Sequence, residues 1–204
     1  MPLVIHPRVR KAAGRIAAMT CVAVFASTGA AFAACRPQQA STPFAHWGDT
    51  NNYFLVPGGS FEGSADQVGW SLTNASLTAG NEPFHVGGYA DNQSLTIDSS
   101  GSGISPSFCE DNTMPYLRFF ARQTAPGSDL IVEAVSGLGG HQVASSLAVL
   151  RDKSMSSWGP VHHIGLQVRL PGMSRLPVTL RFVVPGGAGS WQIDDVYVDP
   201  FRLG

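Results

Sequence analysis

The sequence predicts an all-β sandwich standing behind a cleaved helical leader, and three features predict it. From about residue 53 onward, short apolar runs are broken by Gly, Pro, Asn and Ser at intervals of about ten residues. The segment Pro177 to Val184 sets Val178, Leu180, Phe182 and Val184 against Thr179, Arg181 and Val183, the two-residue period of a sheet with one buried face. No long amphipathic helix follows the leader.

The leader itself spans residues 1–33. Arg8, Arg10, Lys11 and Arg15 stand without an acid ahead of an apolar stretch from Ile16 to Ala26, the n-region and h-region of an export signal. That stretch is too short for a bilayer span, which needs about twenty apolar residues. Ala31-Phe32-Ala33 is a small-x-small cleavage site, so the mature chain is expected to begin at Ala34. A rival reading takes Phe32 to Cys35 as a lipobox, with Cys35 lipidated and the protein anchored to the membrane. The expected location is secreted or at the cell envelope.

Residues 34–52 are polar and Pro-containing with a lone Trp47, a lead-in expected to dock on the domain at 53–204. Strands are expected at Tyr53 to Val56, Trp70 to Ala79, Ser94 to Ile97, Tyr116 to Arg122, Leu130 to Val135, Ser145 to Leu150, Ile164 to Leu170, Pro177 to Val184 and Trp191 to Val198. In the fourth of these Leu117, Phe119 and Ala121 face in, and Arg118 and Arg122 face out. Val143 to Leu150 also shows a helical stripe, but nothing caps it and its neighbours are strands, so a strand is expected. Pro57-Gly58-Gly59, Pro171-Gly172 and Pro185-Gly186-Gly187 supply turns.

Without the leader, 9 basic residues face 14 acidic ones, a net charge of −5. With no Lys/Arg run, the chain lacks the basic footprint that nucleic acid or anionic lipid requires. Cys21 leaves with the leader, so Cys35 and Cys109 remain in an oxidising compartment and are expected to pair, two free thiols or a lipidated Cys35 being the alternatives.

Two segments carry a resemblance: Gly58-Gly59-Ser60-Phe61-Glu62-Gly63 with Gly69-Trp70, and Trp191-Gln192-Ile193-Asp194-Asp195-Val196-Tyr197-Val198-Asp199. They resemble the opening and closing motifs of jelly-roll carbohydrate-binding modules with a galactose-binding-like fold. The whole chain, from Phe44-Ala45-His46-Trp47-Gly48-Asp49 through Asp194-Asp195-Val196-Tyr197-Val198-Asp199-Pro200, also resembles a set of small exported actinobacterial proteins. The resemblance implies a jelly-roll β-sandwich whose first and last strands lie together. It also implies a structural calcium held by Glu62 and by Asp195, or Asp194 in its place, which fits the preference of calcium for hard oxygen ligands. The departure is at the opening, where Gly58 or Gly59 stands in place of an Asn. Strict alternation would put Ile193, Asp195 and Tyr197 on one face and Asp194, Val196 and Val198 on the other, so that only one acid of the pair points at the site.

No catalytic set stands out. Gly-x-Ser-x-Gly, His-Glu-x-x-His and Cys-x-x-Cys are all missing. His162 and His163 are adjacent, so in a strand they would point apart. Glu62, Glu82, Glu110 and Glu133 offer carboxylates for glycosidase chemistry, but nothing pairs them. Trp70 and Trp191 belong to the two motifs and read as core. Phe84, His85, Tyr89 and Trp158 lie in Gly/Pro-flanked segments, with Asn81, Glu82, Asp91, Asn92 and Gln93 near the first three. Those aromatic rings could stack on sugar faces while the polar neighbours, Asn92 first, bond hydroxyls.

The expected function is a non-catalytic, secreted carbohydrate- or envelope-binding module whose partner is a polysaccharide or cell-wall glycan. It implies no nucleic-acid partner and no membrane span in the mature chain. The alternatives are a structural, protein-interaction module of the envelope and, less favoured, a glycan-active hydrolase. A concave face with an aromatic floor and polar neighbours speaks for sugar, a flat apolar face for a protein partner, and a deep pocket with two carboxylates for the hydrolase.

Overall fold

Twelve strands form among the described residues, the long ones, such as Tyr116–Ala125, Arg175–Val184 and Ser190–Val198, on β-branched and aromatic residues. They are β1 (Ala40–Ser41), β2 (Tyr53–Leu55), β3 (Ser71–Ala79), β4 (Gln93–Ile104), β5 (Phe108–Asp111), β6 (Tyr116–Ala125), β7 (Leu130–Leu138), β8 (His141–Leu150), β9 (Gly159–Pro160), β10 (Ile164–Gly165), β11 (Arg175–Val184) and β12 (Ser190–Val198). Helix amounts to one turn, α1 (Ala65–Val68), and a 3-10 turn at Ala45–Trp47. The computed structural model describes residues 39–111, 116–138, 141–166 and 175–199. The leader, Cys35 and the Pro171-Gly172 turn lie outside the described residues.

All the pairings are antiparallel, and they sort the strands into two layers. In one, β8, β7 and β11 lie side by side, and β11 continues onto residues 101–104 of β4. In the other, residues 95–97 of β4 pair with β12, β12 pairs with β6, and β6 carries β9 and β10. The β3–β4 ribbon belongs to both layers and turns the corner between them. Its register shifts between Thr73 and Ala75, and Asn74 and Ser100 adopt positive φ at the bend. A corner made by a bulged strand that switches sheets is a standard device of sandwiches.

The core lies between the layers. Phe119 of β6 meets Phe182 of β11 edge-on at 5.0 Å, a contact across the interior of two strands that are not paired. Leu117, Ala121, Trp191, Ile193, Val178, Leu180 and Val184 fill the same space, all buried. The molecule is an antiparallel jelly-roll sandwich, as the sequence predicts. Trp70 and Trp191 are core residues, their indole N–H groups donating to the carbonyls of Pro57 and Ser128.

Two differences from the sequence reading have physical causes. β4 runs on past Ile97 through a Ser/Gly stretch that reads as turn. There Gly103 makes room, since a Cβ would stand 2.7 Å from Leu95 Cδ2 and 3.5 Å from the Trp70 ring. β5 was not foreseen because its two apolar positions are too few to show a period. The lead-in docks on the domain: β1 pairs with β2, and Phe44 is fully buried in a second cluster with Tyr53, Phe120 and Tyr197 on the outer face of the β12–β6 layer.

Candidate functional site

β12 is the central strand of its layer, and its outward side chains define the face. Gln192 faces out, and its register partners are Thr96 on β4 and Arg122 on β6. Gln192 Nε2 donates to Thr96 Oγ1 at 3.0 Å and to Thr78 Oγ1 at 3.1 Å, and its Oε1 accepts from Arg122 Nε at 2.6 Å. Four polar side chains from four neighbouring strands thus form one connected row. At its β6 end the Arg122 guanidinium lies 5.1 Å from the centroid of the Trp158 ring. Trp158 and Phe84 both pack on the Phe44–Phe120 cluster next to the row, Phe84 with its ring 5.7 Å from that of Phe120 and 41% exposed.

Beyond Gln192 the alternation of β12 breaks. Asp195 has φ +49°, and the β12–β6 register shifts between Asp194 and Tyr197. The expectation that Ile193, Asp195 and Tyr197 share a face is therefore wrong. The bulge puts Ile193, Val196 and Val198 into the core cluster, while Tyr197 joins the outer one. It also lets both acids engage one acidic cluster instead of one alone. Asp194 accepts from the backbone N–H groups of Asp195 (2.9 Å) and Glu82 (3.3 Å). Asp195 is 1% exposed, and neither carboxylate oxygen has a hydrogen-bond partner. The N–H of Gly87 faces it and eases its charge, but falls short of a well-formed bond.

Around this carboxylate the chain from Asn81 to Gln93 is wrapped by its own acids. Glu82, fully buried, accepts from the backbone N–H groups of Phe84 and of Val86. Glu62 Oε1 accepts from the N–H groups of Asn92 and Gln93, each at 2.7 Å. A Cβ on Gly87 would lie 1.9 Å from Asp91 Oδ2 and 3.2 Å from Asp195 Oδ1, so a larger residue there would have to displace the Asp91 carboxylate. Burial, then Glu82 and Asp91, push the Asp195 carboxyl up to about 7; burial, then Asp195, push Asp194 up to about 9. An orphaned, buried carboxylate beside other acids fits a hard cation such as calcium. Among the described residues no three His, Cys, Asp or Glu side chains form a ready cage. An ion here would therefore need carbonyl or water oxygens as well.

The remaining sequence candidates disperse. His85 and Tyr89 stack at 4.8 Å on the outside of the loop, with Tyr89 91% exposed. Asn92 spends its backbone N–H on Glu62 and its side chain on the Ala90 carbonyl. Glu133 is paired with Arg181 on the other layer, and Glu110 is buried on β5. Cys109 lies on β5, and its expected partner Cys35 is outside the described residues. Sequence reasoning missed Gln192 and Arg122 as a connected row, and it missed Trp47. The Trp47 ring packs at 4.9 Å on Phe84 and at 5.3 Å on Phe120. Trp47 lies in a polar, period-free segment, so nothing in the sequence placed its ring beside Phe84.

No family model matches the chain, and no curated protein matches it. Solved structures similar to it include carbohydrate-binding modules. One comprises the CBM22-1 and GH10 modules of endo-1,4-β-D-xylanase 10B from Clostridium thermocellum, complexed with xylohexaose. It is 16% identical with a TM-score of 0.46, over 71% of this chain and 28% of that one. The CBM22-1 xylan-binding domain of Paenibacillus barcinonensis Xyn10C is 14% identical with a TM-score of 0.49, over 71% and 93%. A family 11 carbohydrate-binding module from Clostridium thermocellum, with a β-1,3-1,4-mixed-linked tetrasaccharide, is 12% identical with a TM-score of 0.43, over 68% and 91%. The chain spans under a third of the first of these and most of the other two.

Proposed function

We propose that the mature chain is an exported, non-catalytic glycan-binding module that holds a polysaccharide or cell-wall glycan on the outer face of the β12–β6 layer. The observation that carries this is the Thr78–Thr96–Gln192–Arg122 row ending at Trp158. Sugars present hydroxyls in rows and apolar C–H faces between them, so an aligned set of amide, hydroxyl and guanidinium groups beside an indole is complementary to them. Ordering these groups before the ligand arrives lowers the entropy lost on binding.

Two further features support binding without catalysis. The exposed large apolar side chains among the described residues are Phe84, Tyr89, Tyr116, Val143 and Val149, spread over several elements instead of forming one flat patch for a protein partner. The carboxylates that do cluster, around Asp194 and Asp195, are buried beneath the loop instead of flanking an open cleft. A calcium ion bound there by Asp195 and its acidic neighbours would hold the 81–93 loop, and with it Phe84, in place.

The test is a glycan array on the mature protein, followed by calorimetry with each hit. Arg122→Ala and Trp158→Ala are each expected to weaken binding roughly tenfold or more, the equivalent of about 1.4 kcal/mol. Absence of binding to any polysaccharide, alongside a defined protein ligand, would overturn the reading in favour of a structural envelope module.

A further inference from the structure

A second cleft opens between the lead-in and β6. Its volume is about 610 Å3, and its lining includes Trp47, Asp49, Asn51, Arg118, His162 and His163. None of Thr78, Thr96, Gln192, Arg122 or Trp158 reaches it, so it is separate from the face described above.

Its floor is fixed. Asp49 Oδ2 accepts from Arg118 Nη1 at 2.6 Å, Tyr53 Oη at 2.7 Å and His163 Nε2 at 2.9 Å, and Oδ1 accepts from the Asn51 N–H at 3.1 Å. Arg118 also donates from Nε to the Val161 carbonyl at 3.0 Å, and its Cζ lies 4.1 Å from the Phe44 ring centroid. The ion pair is buried, with side chains 6% and 8% exposed. Such a pair adds little stability over an apolar replacement, but it holds the guanidinium in one orientation.

The balance of donors and acceptors points to the ligand. Asp49 is the one carboxylate that lines the cleft, and it already accepts four bonds. Thr50, Asn51 and His162, all exposed, line the cleft beside Arg118. The guanidinium can only donate, the Asn51 amide, Thr50 hydroxyl and His162 ring can each donate, and the one lining carboxylate is already engaged, so the cleft suits a group that only accepts. Trp47 supplies an apolar wall for a ring. We infer that this cleft binds an acidic saccharide, with a pyranose ring against Trp47 and its carboxylate directed at Arg118 and His162.

The experiment is calorimetry of the mature protein with trigalacturonate and triglucuronate, using their methyl esters as neutral controls. At least one acid is expected to bind, with its ester weaker by tenfold or more. His162→Gln and Asn51→Ala, both exposed and outside the buried pair, should each weaken the acid by about fivefold, and Trp47→Phe should weaken it while keeping the lead-in packed. Arg122→Ala should leave it unchanged, which separates this cleft from the outer face. Equal affinity for acid and ester, no binding of either acid, or a loss caused by Arg122→Ala and not by His162→Gln would each overturn the inference.

Discussion

Asp195 combines a left-handed backbone, complete burial and an unpartnered carboxylate, three costs that one residue rarely bears together. With no cation bound, the folded protein escapes the electrostatic cost by protonation, so Asp195 and Asp194 titrate at about 7 and about 9 instead of 3.8. The folded state then holds protons that the unfolded chain has released, and stability falls as pH rises between about 4 and about 9. The loss is on the order of 1 kcal/mol per pH unit for each group still protonated. In chelator the melting temperature should therefore drop steadily from pH 5 to pH 9, and calcium at 100 times its Kd should return about 2.7 kcal/mol at pH 8. Asp195→Asn keeps a side chain that tolerates positive φ but removes the charge. It should melt above the wild type in chelator at pH 8 and ignore calcium. A wild type whose melting temperature is flat across this range would contradict the protonated pair, and one indifferent to calcium would leave the site to protons alone.

The two motifs that open and close the domain are neighbouring elements, and their backbones interlock. Val56 N–H donates to the Val196 carbonyl, and Val196 N–H donates to that of Gly59. The Asn expected by resemblance is replaced at a turn where Gly58 takes φ +67°, a conformation that Asn and Gly share. Space nonetheless restricts this position to glycine, because a Cβ would stand 2.0 Å from the Val68 carbonyl oxygen. Gly58→Ala should cost about 1–2 kcal/mol for the backbone alone and lower the melting temperature by several degrees, with more from the clash. Gly165→Ala, which meets nothing within 4 Å, should be silent. An unchanged melting temperature for Gly58→Ala would show that the turn can relax. Strands with clear alternation, such as β11 and β6, were legible in the sequence because one face is core and the other is not. The bulge in β12 was not, since the two residues it redirects are identical aspartates and no change of residue type marks the slip. The polar row was hidden for the related reason that its members are ordinary outward residues of strands distant in sequence, brought together only by register.

At the scale of the whole molecule, the lead-in decides how much of the surface is built. Its placement depends on Phe44 in the outer cluster, Asp49 on Arg118 and the short β1–β2 pairing. Composition could show only that this stretch is not a regular element. The inward stripe of each strand announced the sandwich, but a docked loop has no period to announce. A covalent tie between Cys35 and Cys109 would fasten the same segment from its other end, joining the chain just ahead of β1 to β5, which pairs with β11 on the opposite layer. In the chain-entropy view, a loop of that length restricts the unfolded state by roughly 4 kcal/mol. That is a large part of the about 5–15 kcal/mol that holds a domain together. Peptide mapping of the protein produced under oxidising conditions, without reductant, should recover the two cysteines in one linked peptide. Cys109→Ala should then lower the unfolding free energy by about 2–4 kcal/mol. It should also weaken any ligand of the Trp47 cleft more than a ligand of the Gln192 row, because only the former is walled by the tethered segment. A diacylglycerol mass on Cys35 would replace the bridge with membrane anchoring. A Cys109→Ala variant as stable as the wild type would show that the lead-in is held by Phe44 and Asp49 alone.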